Sequence, residues 1–176
     1  MINLNGYPKR KGHLTLSNFL NYHNNIDISR YKVITIIRNP FDRIFSVYNH
    51  IKKINRNGIY TFAIDINNKN FNEWLKYIYT IFNELKEKSK EYSDDLYSFF
   101  IPQIDFLTVG NNIPKYVKIF RFENLDKLEN FINCKLIHAN KSNIEMINYK
   151  NIYNKESINI IKKLYNKDLK IFNYNY

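Results

Sequence analysis

The chain has 176 residues, 44% of them hydrophobic and 16% aromatic, enough apolar side chain for one domain with a real core and too much for a disordered segment. Its formal net charge is +11, which points to an anionic partner such as nucleic acid, phospholipid, a phosphorylated cofactor or an acidic glycan without choosing among them. No window of about eighteen consecutive apolar residues exists to span a membrane, and the lone Cys134 excludes an intramolecular disulfide and a CxxC-type metal site. These features favour a reducing, cytoplasmic setting and give no reason to expect a metal. Abundant Asn, Lys, Ile and Tyr match the composition of an AT-rich genome, which accounts for many of the lysines without any ligand.

Residues 1–12 are polar and basic and read as irregular. They lack the apolar run that a signal peptide carries after its basic residues. Residues 14–23, "LTLSNFLNYH", place Leu16, Phe19 and Leu20 at helical spacing. "YKVITII" (31–37) is a β-branched run that predicts a strand buried on both faces. Asn39 then reads as a helix N-cap and Pro40 as the first helical position, with Asp42 placed to favour the helix start. Ile44, Phe45, Tyr48 and Ile51 form the buried stripe of that helix.

Phe71 to Leu85 predicts an amphipathic helix with Trp74, Ile78 and Phe82 on one face. The segment "SDDLYSFFIPQIDFLTVGNN" contains a helical turn, a proline break and a short strand over Phe106 to Val109. "YVKIFRF" (116–122) is the second strong strand, followed by a helix over "NLDKLENFI". "KSNIEMINYKNIYN" is rich in turn formers, and "KESINIIKKLYNKDLKIF" predicts one terminal helix with Ile158, Ile161, Leu164 and Tyr165 inward. Helices alternating with strands give an α/β class, a mainly parallel sheet with helices on both faces and a single domain, residues 1–176.

The most informative block is "KVITIIRNPFDRIFSVYNH" (32–50). A parallel strand that feeds a helix brings its carboxyl end to the ligand-binding rim of the sheet, and the helix start there offers unpaired N–H groups and partial positive charge to an anion. Arg38 sits at that edge. Ser46 lies two turns into the helix, on the side of Asn39 and Asp42. Arg38 forks onto phosphate oxygens while the Ser46 hydroxyl donates to another, or the pair is a surface arginine and an inconsequential helical serine.

"VITIIRNPFDRIFSVYNH" resembles the 3′-phosphate-binding motif of sulfotransferases that use 3′-phosphoadenosine 5′-phosphosulfate (PAPS): a strand, Arg-Asn-Pro, a further Arg, then Ser-x-Tyr. The chain is similar to carbohydrate sulfotransferases of the heparan-sulfate 2-O type and their bacterial relatives. "GHLTLSNF", "FIPQIDFL", "IFRFENLDKLENFI", "LIHANKS" and "YNKESINIIKKLYNKDLKIFNY" follow in the family's order over most of residues 12–174. The resemblance implies a three-layer, P-loop NTPase-like fold, PAPS as sulfuryl donor and a carbohydrate hydroxyl as acceptor. It implies that Arg38 and Ser46 hold the nucleotide 3′-phosphate and that His13 is the general base, a task suited to imidazole. Without it, His13 is an ordinary histidine of a basic loop.

Other candidates keep two readings each. Lys11 stands where relatives carry another histidine. His50 reaches the cofactor rim or is solvated. Glu123, beside Arg121, orients an acceptor or pairs with the arginine. Asn140, Lys141 and Ser142 close over the cofactor or are turn chemistry. The family's other signature, a 5′-phosphosulfate loop after the first strand, has no counterpart in the sequence: "YPKRKGHLT" lacks its early hydroxyl residue and a preceding strand. The expectation is therefore a fold incomplete at its N-terminus, completed by a missing segment or a partner chain, or else a truncated, non-catalytic relative that binds a nucleotide or acidic glycan. Nucleic acid is disfavoured as a partner. The aromatic residues fall mainly on inward faces, and no nucleic-acid-binding signature is present.

Overall fold

A computed structural model describes residues 14–55, 66–92, 98–137 and 148–176, with side chains at all of these except 54–55 and 86–92. The order is α1 (Leu16–Tyr22), a 3-10 turn (Ile28–Arg30), β1 (Val33–Ile37), α2 (Pro40–Asn55), α3 (Phe71–Tyr92), α4 (Gln103–Leu107) and β2 (Val117–Arg121). A 3-10 turn (Phe122–Asn124), α5 (Leu125–Ile132), a 3-10 turn (Tyr149–Asn151), α6 (Lys155–Leu164) and α7 (Asn166–Ile171) complete it. Helix and strand are mixed as expected, and among the described residues none of the helices is long and apolar enough to cross a membrane.

β1 and β2 pair in parallel, in register from Val33 opposite Val117 to Ile37 opposite Arg121. Both strands therefore end at one rim, where β2 runs directly into a 3-10 turn and β1 leads through Arg38 and Asn39 into α2. Parallel pairing requires a long crossover, and here α2, α3 and α4 lie within it.

The main core is helical. α2 contributes Phe41, Ile44, Tyr48 and Ile51, α3 contributes Phe71, Trp74, Leu75 and Ile78, and α6 adds Ile160 and Ile161. Phe45 and Phe82 pack at its margin, so the stripes read from the sequence for α2 and α3 face inward. Edge-on contacts of Phe71 with Phe45, Tyr48 and Tyr153 are the geometry that aromatic quadrupoles favour. A smaller cluster of Ile37, Ile104, Leu107 and Phe172 lies under the end of β1.

Three expectations are corrected. β1 is not buried on both faces: Ile34 is 40% and Ile36 45% exposed while Ile37 is buried, so the face that carries Ile34 and Ile36 is left partly open while the alternate residues face the core. Phe106 and Leu107 lie at the end of α4 instead of in a strand, since the Asp168 carboxylate accepts the first N–H groups of that helix at Gln103 and Ile104 (2.7 and 2.9 Å); only Val109 enters an isolated bridge with Asn112. The terminal helix breaks at Tyr165, whose backbone leaves helical geometry (φ −116°, ψ 26°). Tyr165 is buried and its hydroxyl donates to the Phe100 carbonyl (3.0 Å), and the break lets Asp168 turn fully inward.

Candidate functional site

The junction between β1 and α2 is built from the backbone outward. Pro40 opens the helix, where its missing N–H costs nothing, and the Asn39 side-chain oxygen accepts from the Phe41 N–H (3.1 Å), an N-cap bond. The Asn39 N–H donates across the rim to Glu123 (2.7 Å), the residue two beyond the end of β2. Its side-chain amide donates to the Asn175 carbonyl (2.9 Å) and to the Tyr149 hydroxyl (3.3 Å). The second carboxylate oxygen of Glu123 accepts from Tyr174 (2.8 Å). Burial, reinforced by that bond, pushes the Tyr174 hydroxyl above its ordinary pKa.

Arg38 follows the last residue of β1. Its Nε donates to Asp42 (2.6 Å) and its side chain is 27% exposed. The guanidinium also lies over the Phe122 ring, 4.3 Å from the centroid, within cation–π range. The Asp42 bond uses one of five N–H donors and holds the group against the first turn of α2. Ser46 is half-buried and four residues beyond Asp42, hence one turn along on the same helix face. Asp42, which holds Arg38, and Ser46 thus lie on one side of α2.

Arg43 has a different role from Arg38. It is half-buried, and its two terminal nitrogens donate to the carbonyls of Ile101 (2.8 Å) and Phe99 (3.1 Å). Loss of hydration lowers its pKa, opposed by Tyr165 and Asp168. It fastens the segment before Pro102 to α2.

His13, Asn140, Lys141 and Ser142 lie outside the described residues, as do Lys11 and the "YPKRKGH" stretch. His50 is exposed, with its ring edge-on to Phe99 at 5.6 Å. Of the two readings for Glu123, its bonds go to Asn39 and Tyr174, while Arg121 donates to the Phe172 carbonyl and lies over the Tyr174 ring (4.5 Å). A groove of about 880 Å³ runs beside β1, with Phe19, Ile34, Ile36, Phe106 and Val117 in its lining. It is mostly apolar, with Gln103 and Arg43 among its polar lining, and neither Arg38 nor Ser46 borders it.

Sequence reasoning missed four participants: Asp42 as the partner of Arg38, Gln103, Asp168 and the tail residue Tyr174. A signal existed for Gln103, an amide placed directly after a proline at a helix start, and for the tail in the aromatic ending "FNYNY".

A family model described as "Sulfotransferase family" matches residues 5–175. Among the curated proteins and the solved structures nothing matches.

Proposed function

Because the chain belongs to the sulfotransferase family, a class of enzymes that transfer sulfuryl groups, we propose that it takes the group from PAPS and delivers it to a carbohydrate hydroxyl. The observation that carries this reading is the half-buried Arg38, held by Asp42 and Phe122 at the rim where both strands end. A guanidinium with four further donors, a serine hydroxyl one turn along and a helix start beside them suit a phosphate monoester. PAPS differs from ordinary adenylates in having one at its 3′ position. Asp42 fixes the guanidinium and, being anionic, disfavours a second anion, so the phosphate must gain more from the free donors than it loses to the carboxylate.

In this reading the acceptor oxygen attacks sulfur as the bond from sulfur to the bridging phosphate oxygen breaks. The hydroxyl proton passes to His13, and adenosine 3′,5′-bisphosphate leaves. Catalysis of such in-line transfer rests on positioning and charge stabilisation. Asn140, Lys141 and Ser142 contribute to the nucleotide side. The relatives of this reading are the heparan-sulfate 2-O type and its bacterial counterparts, with a three-layer sheet in which β1 and β2 have further neighbours, all within one domain. A phosphate loop supplied by an additional segment or partner chain would cradle the 5′-phosphosulfate.

The test is calorimetric titration with adenosine 3′,5′-bisphosphate, with AMP as control. Binding of the bisphosphate in preference to AMP is expected. Arg38→Ala should weaken it by about 1.5–3 kcal/mol, the range for a hydrogen bond to a charged group, and unchanged affinity would place the nucleotide elsewhere. Where turnover is measured, His13→Ala should lower it by about 10²–10⁴-fold with bisphosphate affinity preserved.

A further inference from the structure

Arg38 contributes two bonds through its backbone as well as its side chain. Its N–H donates to Gln103 Oε1 (2.8 Å), and its carbonyl accepts from Gln103 Nε2 (2.8 Å). One carboxamide thus pairs with both polar groups of one residue, as a neighbouring strand would. The next N–H, that of Asn39, points to the opposite side and is taken by Glu123 (2.7 Å). The last extended residues before α2 are held from both edges by side chains, at a place where β2 has already ended.

Gln103 is itself held. It is buried, and Asp168, fully buried on α7, accepts its backbone N–H (2.7 Å) and lies 3.4 Å from its Nε2. This arrangement admits only one orientation of the amide. Turned over, Gln103 would set its oxygen against the Asp168 carboxylate and its NH₂ against the Arg38 N–H, so two acceptors and two donors would face each other. Asp168 therefore presents Gln103 to Arg38 with its acceptor toward the N–H and its donor toward the carbonyl.

We propose that Gln103, oriented by Asp168, is a positioning residue that sets the backbone of Arg38 and so aims its guanidinium at the nucleotide 3′-phosphate. Two bonds to one residue restrict the rotation of the peptide planes on either side of it, and these planes decide where the side chain leaves the chain. Asp42 and Phe122 then fix the far end. The guanidinium reaches the rim with little freedom left to lose on binding, which is how preorganisation strengthens a contact. This inference rests on the reading of Arg38 given above.

The experiment is a double-mutant cycle on the full chain, using adenosine 3′,5′-bisphosphate as the titrated probe. Gln103→Met keeps size and shape and removes both polar groups. It should weaken binding by about tenfold, equivalent to about 1.4 kcal/mol. In the Arg38→Ala background, Gln103→Met should cause no further loss, because a residue that acts only through Arg38 has nothing left to position. Additive losses, or wild-type affinity in Gln103→Met while Arg38→Ala is impaired, overturn the proposal. Unimpaired binding by Arg38→Ala instead overturns the reading of the site, and the role of Gln103 with it. If Gln103→Met lacks a cooperative unfolding transition, Gln103→Asn, one methylene too short to make both bonds, enters the cycle under the same criteria. Hydrogen exchange of the Arg38 amide in the unsubstituted protein needs no variant. It should be protected without ligand, and fast exchange removes the clamp on which the proposal stands.

Discussion

Two strand-to-helix junctions lie side by side at one rim, and they are built to different standards. At the first, from Ile37 to Phe41, Gln103 pairs with the Arg38 backbone, Glu123 takes the Asn39 N–H and Asn39 caps α2. The tail closes over the cap through Asn175. At the second, from Arg121 to Leu125, a 3-10 turn intervenes, Asn124 makes no side-chain capping bond to α5, and Phe122 is 42% exposed. The second junction lends its side chains to the first: Phe122 lies under Arg38, and Glu123 receives Asn39. A parallel pair of strands offers two equivalent places for an anion. The one whose backbone is fixed from all sides is the one that carries Arg38, the guanidinium to which the proposed function assigns the phosphate.

The largest effect that breaks this comparison is in packing. Phe41, in the first turn of α2, is fully buried and meets the rings of Tyr153 (5.5 Å) and Tyr176 (4.9 Å). Phe41→Ala should cost about 3–5 kcal/mol of stability in urea unfolding. Phe122→Ala, in the other junction, should cost about 0.5–1 kcal/mol, the worth of an exposed cation–π contact. Equal losses would show that the two junctions carry equal load.

A smaller effect isolates the caps. Asn39→Ala removes the bonds to Phe41, Asn175 and Tyr149 and should destabilise the protein by about 0.5–2 kcal/mol. Asn124→Ala removes no cap and should stay within about 0.5 kcal/mol of the parent. Thermal unfolding of the two variants compares them directly. A loss at Asn124 as large as that at Asn39 would mean that α5 depends on its first residue in a way its bonding does not suggest.

The first junction was legible in the sequence because its parts are local. A β-branched run, Asn-Pro and an apolar stripe at helical spacing specify a strand, a cap and a helix within twenty residues, and they set Arg38 and Ser46 on one side. The supports of that junction were not legible because they come from far along the chain. Gln103 lies 65 residues beyond Arg38, and Asp168 lies 65 beyond Gln103. Asp168 stands among lysines in "KKLYNKDLK", where it reads as a surface charge, and only the break at Tyr165 turns it inward. α4 was hidden for a related reason. "DFLTV" has the composition of a strand, and what makes its first part helical is a carboxylate on another element. The outward-facing Ile34 and Ile36 mislead in the other direction, since a continuous apolar run implies cover on both faces whatever the neighbours are.

The smallest effect separates the junctions by pH. Behind the first stands Asp168, whose carboxyl has an elevated pKa because burial disfavours its charge; the N–H groups of Ile104 and Gln103, together with Arg43, pull the other way without cancelling burial. Glu123, which joins the two junctions, is exposed. In the unfolded chain Asp168 titrates near the ordinary aspartate value of about 3.9. Between that pH and its higher folded value, the folded protein retains a proton that the unfolded chain has lost. Stability therefore falls as pH rises through this window. The contribution is fully present below the ordinary value and is gone above the folded pKa. Asp168→Asn removes the titration, although a single amide oxygen cannot serve every donor that the carboxylate does, so the variant should be less stable throughout. The informative quantity is the difference between the two proteins, measured by urea unfolding at stepped pH from about 4 upward, with the ordinary carboxylate pKa as the lower bound. The advantage of the unsubstituted chain should shrink as pH rises and then level off. An advantage that grows over the same steps would show that the N–H groups and Arg43 outweigh burial, and that Asp168 presents Gln103 to Arg38 as a stabilised carboxylate from acid pH onward.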